Sequence, residues 1–199
     1  MPSSSSLFRP RNVLATIAAM LVLAGCQTSP PTHPVPSVQE IGSDLKCKTG
    51  DHGFEDLQAA WGFCYPGTWH YNERSQGSQN PPGLDLTFDI TDIPCTSPPP
   101  GSRPVCSPEA GRFAYMIIGT YERGSAADLT AWEKTYLPNV STSQTIRWGN
   151  AVEAAKLADG RRIALTQHRV VILDMRSANA LLDLEGQMSS RLDTWMFTY

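Results

Sequence analysis

The sequence contains little positive charge. It has 16 lysine and arginine residues against 19 aspartate and glutamate residues, with four histidines, and its formal net charge is −3. Proteins that bind nucleic acid neutralise phosphates with clustered lysine and arginine side chains. The composition therefore argues against a nucleic-acid-binding protein.

The patterns that mark common classes of enzyme and metalloprotein are also missing. The chain has no G-x-S-x-G, H-E-x-x-H, P-loop or C-x-x-C pattern, and His52, His70 and His168 do not have the spacing of metal ligands. His168 lies in an alternating apolar segment, where we expect a partly exposed strand histidine rather than a general base. The sequence thus predicts no enzyme, no cofactor and no bound metal.

One long apolar run is present, from Val13 to Ala24, and it follows Arg9 and Arg11. Such a layout is typical of an export signal, and the run is too short to cross a bilayer as a stable helix. The run ends in LAGC, which resembles the lipobox of bacterial lipoproteins, whose cysteine receives lipid and becomes the new N-terminus. This resemblance implies an exported chain with a fatty-acyl membrane anchor, such as palmitate, on Cys26. An ordinary cleaved signal peptide is the alternative.

Three segments follow from this interpretation: a signal peptide over residues 1–25, a Pro/Ser/Thr-rich tether over 26–44 and a single domain over 45–199. Removal of the signal peptide leaves 14 basic and 19 acidic residues, a formal charge of −5. We therefore expect the lipid, and not a basic patch, to hold the protein at the membrane. By resemblance to lipoproteins of two-membrane bacteria, Gln27 implies the outer membrane, facing the periplasm. In a host with one membrane the protein would lie at the cell surface.

Hydrophobic patterning predicts an α+β domain built on a mostly antiparallel sheet. Leu84–Ile93 alternates apolar and polar residues as a strand with one wet face does, which places Asp85 and Asp89 on that face, and Asp159-Gly160 favours a tight turn. The other predicted strands are Trp61–Tyr65, Arg112–Glu122, Ser141–Trp148, Ala151–Ala158, Arg161–Met175 and Ala180–Leu184. The predicted helices are Ser125–Pro138, which should bury Trp132, and Gln187–Trp195. Phe54–Ala60 is interpreted as helical or irregular, and Gly77–Gly83 as part of a polar loop.

Four cysteines remain once Cys26 carries lipid: Cys47, Cys64, Cys95 and Cys106. Exported cysteines usually pair, and four of them allow three pairings. Cys95 and Cys106 enclose a proline-rich loop, so their pairing is the local choice, and Cys47 with Cys64 then follows. We expect these cysteines to be structural disulfides rather than reactive thiols or metal ligands.

Two strings of residues carry a resemblance to PsbP-like domains. Trp61–Glu73, WGFCYPGTWHYNE, resembles the family's opening strand, which ends in a Tyr-Pro-x-x-Trp segment, here Tyr65, Pro66 and Trp69. Met188–Tyr199, MSSRLDTWMFTY, resembles its closing helix and short final strand. The resemblance implies an antiparallel sheet flanked by helices, an αβα sandwich, and a role in protein binding rather than catalysis. It transfers no catalytic or metal-binding residue, and the proline-rich loop is an insertion.

The sequence therefore predicts a lipid-anchored cell-envelope protein whose domain is a non-enzymatic binding or assembly module. The candidate contact surface for an envelope protein is the loop Pro94–Gly111, because proline orders a loop before it binds. A loop that only stabilises the domain is the alternative. Two other functions remain open: a small-ligand carrier or hydrolase with a pocket between sheet and helices, and a purely structural envelope lipoprotein.

Overall fold

In the residues that the structure describes, the chain forms two antiparallel sheets and two short helices. The computed structural model describes residues 45–93, 113–177 and 181–198. The strands are β1 (Asp51–Asp56), β2 (Trp61–Pro66), β3 (His70–Gln79), β4 (Pro82–Thr91), β5 (Phe113–Glu122), β6 (Thr142–Thr145), β7 (Glu153–Leu157), β8 (Arg162–Leu165), β9 (Arg169–Ser177) and β10 (Met196–Phe197). The helices are α1 (Leu129–Tyr136) and α2 (Leu184–Ser189), and a 3₁₀ turn covers Leu192–Thr194.

Several sequence predictions fall outside the described residues. These are the signal peptide, the tether, the lipid site at Cys26 and the whole Pro94–Gly111 loop with Cys95 and Cys106. They remain predictions.

The larger sheet has seven strands in the order β3-β4-β5-β9-β8-β7-β6, and every pairing in it is antiparallel. After β5 the chain passes through α1, builds β6, β7 and β8, and returns as β9 beside β5. The smaller sheet has the order β1-β2-β10. The prediction of a mostly antiparallel sheet is confirmed, and sheet rather than helix dominates the domain.

Each face of the larger sheet has its own core, because successive side chains of a strand point to opposite faces. On one face Ala164, Val171 and Leu173 join a core shared with the smaller sheet and α2. On the other face Ile163, Leu165 and Ile172 pack with Leu129 and Trp132 of α1. Trp132 is fully buried, as predicted from the helical pattern. The second sheet over the first face was not predicted.

The structure corrects four predicted elements. Residues 54–60, interpreted as helical or irregular, contain the end of β1 and a turn, and the supposed polar loop around Gly77 is the paired strand β3. The predicted strand Arg161–Met175 is a hairpin, β8 and β9, whose turn holds His168 in an exposed position. The described part of the predicted strand Ala180–Leu184, residues 181–184, instead leads into α2. The first turn of α2 is capped by the Asp183 carboxylate, which accepts a hydrogen bond from the Gly186 N–H at 2.9 Å.

A disulfide joins Cys47 to Cys64, as predicted, with the two Cα atoms 5.4 Å apart. It ties the segment before β1 to the centre of β2, where Cys64 is fully buried. The bridged residues are 17 positions apart. A loop of this size corresponds to roughly 3 kcal/mol of stabilisation in the chain-entropy account of disulfides.

An ion pair joins Asp51, at the start of β1, to Arg191, just before the 3₁₀ turn. The Arg191 guanidinium donates from Nε and Nη2 to the Asp51 carboxylate at 2.8 and 2.9 Å, and the Asp51 side chain is 8% exposed. These hydrogen bonds hold the pKa of Asp51 below its ordinary value of 3.8. The ionised carboxylate therefore stabilises the fold fully at pH values above 3.8, the ordinary pKa. This stabilisation is lost as the pH falls through the lower pKa of the folded state.

We expect Asp51→Asn to lower the free energy of unfolding at pH 7. Below about pH 4 the free energy of unfolding should fall less steeply with decreasing pH than in the unchanged protein, because the variant has no carboxylate to protonate at this position. Urea unfolding measured from pH 7 to pH 2 checks this. Asp193→Asn, at an exposed position near the same end of the domain, is the matched control and should keep the acid slope of the unchanged protein. Equal acid slopes in Asp51→Asn and the unchanged protein would contradict the assignment.

Candidate ligand-binding cleft

A cleft of about 390 Å³ lies between the first half of α1 and the segment from β6 to β7. Its walls include Thr130 and Glu133 of α1, Thr142 of β6, Trp148 of the connecting loop and Glu153 of β7. A volume of this size falls within the range that small-molecule sites occupy. The cleft is thus large enough for a small ligand or for a side chain of a partner.

Helix α1 is held in place at its start and along its buried face. The Asp128 carboxylate accepts a hydrogen bond from the Ala131 N–H at 2.8 Å and caps the helix. The Trp132 indole N–H donates to the Glu122 carbonyl oxygen at 3.0 Å. Leu129 and Glu133 are four residues apart, so they lie on the same side of the helix, one turn from each other. This arrangement turns an acidic side chain toward the sheet.

Glu133 is a buried carboxylate on the side of α1 that lines the cleft. The residue is 8% exposed, and the Thr142 hydroxyl donates to its two carboxylate oxygens, each 3.0 Å away. Burial raises the pKa of Glu133, the hydrogen bond from Thr142 partly offsets this increase, and repulsion from the carboxylate of Glu153 adds a smaller increase. Within the described ranges, no lysine or arginine forms an ion pair with Glu133. Buried charges in proteins are normally paired, so this carboxylate has an unmet electrostatic requirement.

Glu153 brings a second carboxylate to the cleft. Its Oε2 accepts a hydrogen bond from the Leu129 N–H at 3.1 Å, and Leu129 is the first residue of α1. The N-terminal N–H groups of a helix favour negative charge. Glu153 therefore links β7 to the helix while its exposed side chain stays at the mouth of the cleft.

Trp148 forms the inner wall of the cleft. The residue is 1% exposed, and its buried Nε1 has no hydrogen-bond partner in the part of the chain that the structure describes. Its ring packs edge-on against Trp195 and Phe197, with centroid distances of 5.0 and 5.8 Å. The Trp148 ring belongs to the core shared with the smaller sheet, where Trp69 and Trp195 also have a buried indole nitrogen without a partner among the described residues.

The acidic residues singled out from the sequence have structural partners. Asp85 accepts a hydrogen bond from the Tyr121 hydroxyl at 2.6 Å, and Asp89 pairs with Arg74 at 2.9 Å. Both aspartates lie on one face of β4, as the alternation predicted, and both are half-buried. Asp85 therefore links β4 to β5, and Asp89 links β4 to β3.

None of the helices in the described residues is long and apolar enough to span a membrane. In the same part of the chain, no group of three or more histidine, cysteine, aspartate or glutamate side chains could hold a metal ion.

Sequence reasoning missed the cleft and its residues Glu133, Trp148 and Glu153. One signal was present: Glu133 follows Trp132 directly and lies one turn after Leu129, which places a charge beside the apolar stripe of the predicted helix. Nothing local marks Trp148 or Glu153, because the contact of β7 with the start of α1 joins residues 24 positions apart.

Comparison of the chain with family models, with curated proteins and with solved structures gives no match. The function must therefore be argued from the residues of this chain.

Proposed function

We propose that the protein is exported and lipid-anchored in the cell envelope, and that its domain is a non-enzymatic binding module that holds another envelope component at the cleft between α1 and β6–β7. The observation that carries the binding role is the buried carboxylate of Glu133, which lines the cleft without a cationic partner among the described residues. A site with an unmet charge gains more from an added ligand than a site whose polar groups are already satisfied.

Export is supported by two features of different kinds. The segment ending in Cys26 resembles a lipobox, and the Cys47–Cys64 disulfide fits an oxidising compartment. In a host with two membranes the proposed location is the outer membrane, facing the periplasm. In a host with one membrane it is the cell surface.

The resemblance to PsbP-like domains belongs to the same proposal. It is supported by the order of elements: β2 ends at Pro66 and turns to the buried Trp69, α1 follows β5, and α2 and a 3₁₀ turn lead to the short final strand β10. Helices α1 and α2 cover opposite faces of the larger sheet. In a simple αβα sandwich, helices alone would cover each face of the sheet. Here the smaller sheet covers one face together with α2.

Binding is favoured over catalysis because one fixed donor orients each carboxylate of the cleft without supplying a counter-charge. The Thr142 hydroxyl bonds Glu133, and the Leu129 N–H bonds Glu153. A carrier of small ligands is the second candidate function, and the volume of the cleft favours it. The Pro94–Gly111 loop remains a second proposed contact surface for a protein partner.

Photocrosslinking in the protein's own host tests the proposal. A photoreactive amino acid replaces Val152, an apolar residue on the cleft wall that is 60% exposed, and Leu57, which is 42% exposed on the β1–β2 turn, serves as the matched control. We expect an adduct at position 152 and none at position 57. A protein adduct supports the binding module, and a small-molecule adduct supports the carrier. No adduct at position 152, with the photoreactive residue incorporated, would overturn the binding role.

The anchor is tested in the same cells by metabolic labelling with an alkyne fatty acid. We expect the unchanged chain to incorporate label and to remain with membranes, and Cys26→Ala to do neither. Label retained in Cys26→Ala would remove the lipid anchor from the proposal without affecting the crosslinking result.

A further inference from the structure

We infer that the protein forms a symmetric dimer in which strand β3 pairs with β3 of a second copy of the chain, so that the two larger sheets become one continuous sheet. This inference goes beyond the proposed function. Strand β3 stands at the opposite end of the strand order from β6 and β7, which line the cleft. The dimer therefore depends on neither the cleft nor the lipid anchor.

Strand β3 is a long edge strand that is open to a further strand. It is the outermost strand of the larger sheet, and all of its residues pair with β4 without a register shift. Among the described residues, no strand pairs with its other side. Residues 73–77 are exposed at every position, so both faces of the strand are open there. The outer N–H and C=O groups of such a strand form a template for β-pairing.

The usual features that block the edge of a sheet are missing from β3. Its sequence, HYNERSQGSQ, has no proline and no lysine, and its pairing has no bulge. The Arg74 guanidinium is drawn onto its own sheet, where it donates to the Asp89 carboxylate at 3.1 and 2.9 Å. At the opposite edge, β6 has four residues, and its register with β7 shifts between Thr142 and Gln144. A short, irregular strand of this kind is a poor template, so β3 is the better edge for pairing.

The sequence of β3 is complementary to itself in one register. Two sheets joined edge to edge by a two-fold axis keep equivalent side chains on the same face, so one residue of β3 must lie opposite its own counterpart. With Ser75 at this position, residues 71–79 of the two copies pair with each other. Glu73 then lies opposite Gly77 of the second copy, and Arg74 also lies opposite an uncharged residue.

Other registers are less favourable. An axis at Glu73 or Arg74 places two like charges directly opposite each other, which destabilises paired strands. An axis at Gln76 pairs only residues 73–79. The charge pattern and the length of the overlap therefore favour the register centred on Ser75. Pairing about a two-fold axis also uses the open edge of both copies, so assembly ends at the dimer.

Cysteine crosslinking of the full-length chain in its host tests the inference. In the proposed register the two copies of residue 75 are opposite each other, at the Cα separation of about 4.5–5.5 Å that paired strands have and a disulfide accepts. Residue 79 lies opposite Tyr71, so its two copies are about 27 Å apart at about 3.4 Å per residue. With copper–phenanthroline and oxygen as the oxidant, we expect Ser75→Cys to give a disulfide-linked dimer. Gln79→Cys is the matched control and should give none.

Charge substitutions at Gly77 test the register and the identity of the partner together. Gly77 is not among the glycines with positive φ, and an added Cβ there meets no described atom within 4 Å, so the strand accepts a side chain. In the dimer each copy of position 77 faces Glu73 of the other copy. We expect Gly77→Lys to tighten the dimer and Gly77→Glu to weaken it, with about a tenfold difference between their dissociation constants at pH 7.5.

Sedimentation equilibrium of the whole mature chain measures these constants, with Cys26→Ser replacing the lipidated cysteine. The same two changes at Gln144, on the exposed edge strand β6, are the matched controls and should leave the dimer unchanged. Far-ultraviolet circular dichroism checks that every variant is folded.

Three results would overturn the inference: no more covalent dimer at position 75 than at position 79, a chain that stays monomeric at every concentration used, or equal effects of lysine and glutamate at position 77. A disulfide between position 75 and a different protein would identify a foreign strand as the partner of β3, and it would overturn the inference as well. None of these results changes what is expected at position 152, so the proposed binding at the cleft is tested separately.

Discussion

Replacement of Trp195 by alanine is expected to lower the free energy of unfolding by about 3–5 kcal/mol, the usual cost of truncating a buried tryptophan. The residue has no solvent exposure. Its ring stacks on Phe63 at a centroid distance of 4.6 Å and meets Trp61 at 5.6 Å and Trp148 at 5.0 Å. Trp195 therefore joins the smaller sheet to the wall of the cleft, and its loss leaves a cavity between them.

Denaturant unfolding of the mature domain measures this effect, with Trp195→Phe as the second variant. Phenylalanine keeps an aromatic ring, and Nε1 of Trp195 has no hydrogen-bond partner to lose among the described residues. We therefore expect Trp195→Phe to cost clearly less than Trp195→Ala. This variant remains informative if the alanine variant does not fold. A cost below about 1 kcal/mol for Trp195→Ala would show that the aromatic cluster is not the main support of the domain.

The two strings on which the family resemblance depends are neighbours in the fold. Strand β10 pairs with β2, with Gly62 opposite Met196 and Trp61 opposite Phe197. The sequence shows each string as a short apolar segment near one end of the domain, but periodicity carries no information about pairing between residues 134 positions apart, as Gly62 and Met196 are. The aromatic content of the core was thus visible in the sequence, and its arrangement was not.

The smaller sheet escaped prediction because its outer strands have weak patterns. In β1 the sequence DHGFED places one apolar side chain, Phe54, among polar and charged residues. Phe54 packs on Phe63 and Phe88, the latter at a centroid distance of 5.0 Å, so tertiary contacts and not local alternation stabilise the strand. Strand β10 has two residues, which is too short for any period to be detected.

Edge position explains the error at β3. Its ten residues pair without interruption with β4, from His70 opposite Thr91 to Gln79 opposite Pro82. Most of the strand is exposed, and its sequence is polar almost throughout. A strand with both faces wet over much of its length shows no apolar alternation, and the glycine and proline residues nearby favour a loop interpretation. By contrast, β4 and β5 have one buried face each, and their prediction is confirmed.

Replacement of Gly149 by alanine is expected to lower the free energy of unfolding by about 2–5 kcal/mol. Gly149 has φ +50°, and an added Cβ would overlap the backbone carbonyl oxygen of Trp195. The left-handed conformation costs an L-residue about 1–2 kcal/mol, and overpacking against backbone typically adds about 1–3 kcal/mol. The Gly149 N–H also donates to the Leu192 carbonyl oxygen at 2.9 Å, a bond that fixes the loop beside Trp148 and must shift to relieve the overlap.

Gly124→Ala separates the two causes, because Gly124 has φ +59° and an added Cβ there would meet nothing within 4 Å. We expect this control to carry only the conformational cost, about 1–2 kcal/mol. The difference between the two variants in urea unfolding then measures the close approach of the cleft loop to Trp195. Equal losses at positions 124 and 149 would mean that the loop can move away from Trp195 freely. In that case the shape of the cleft would not depend on the aromatic core behind it.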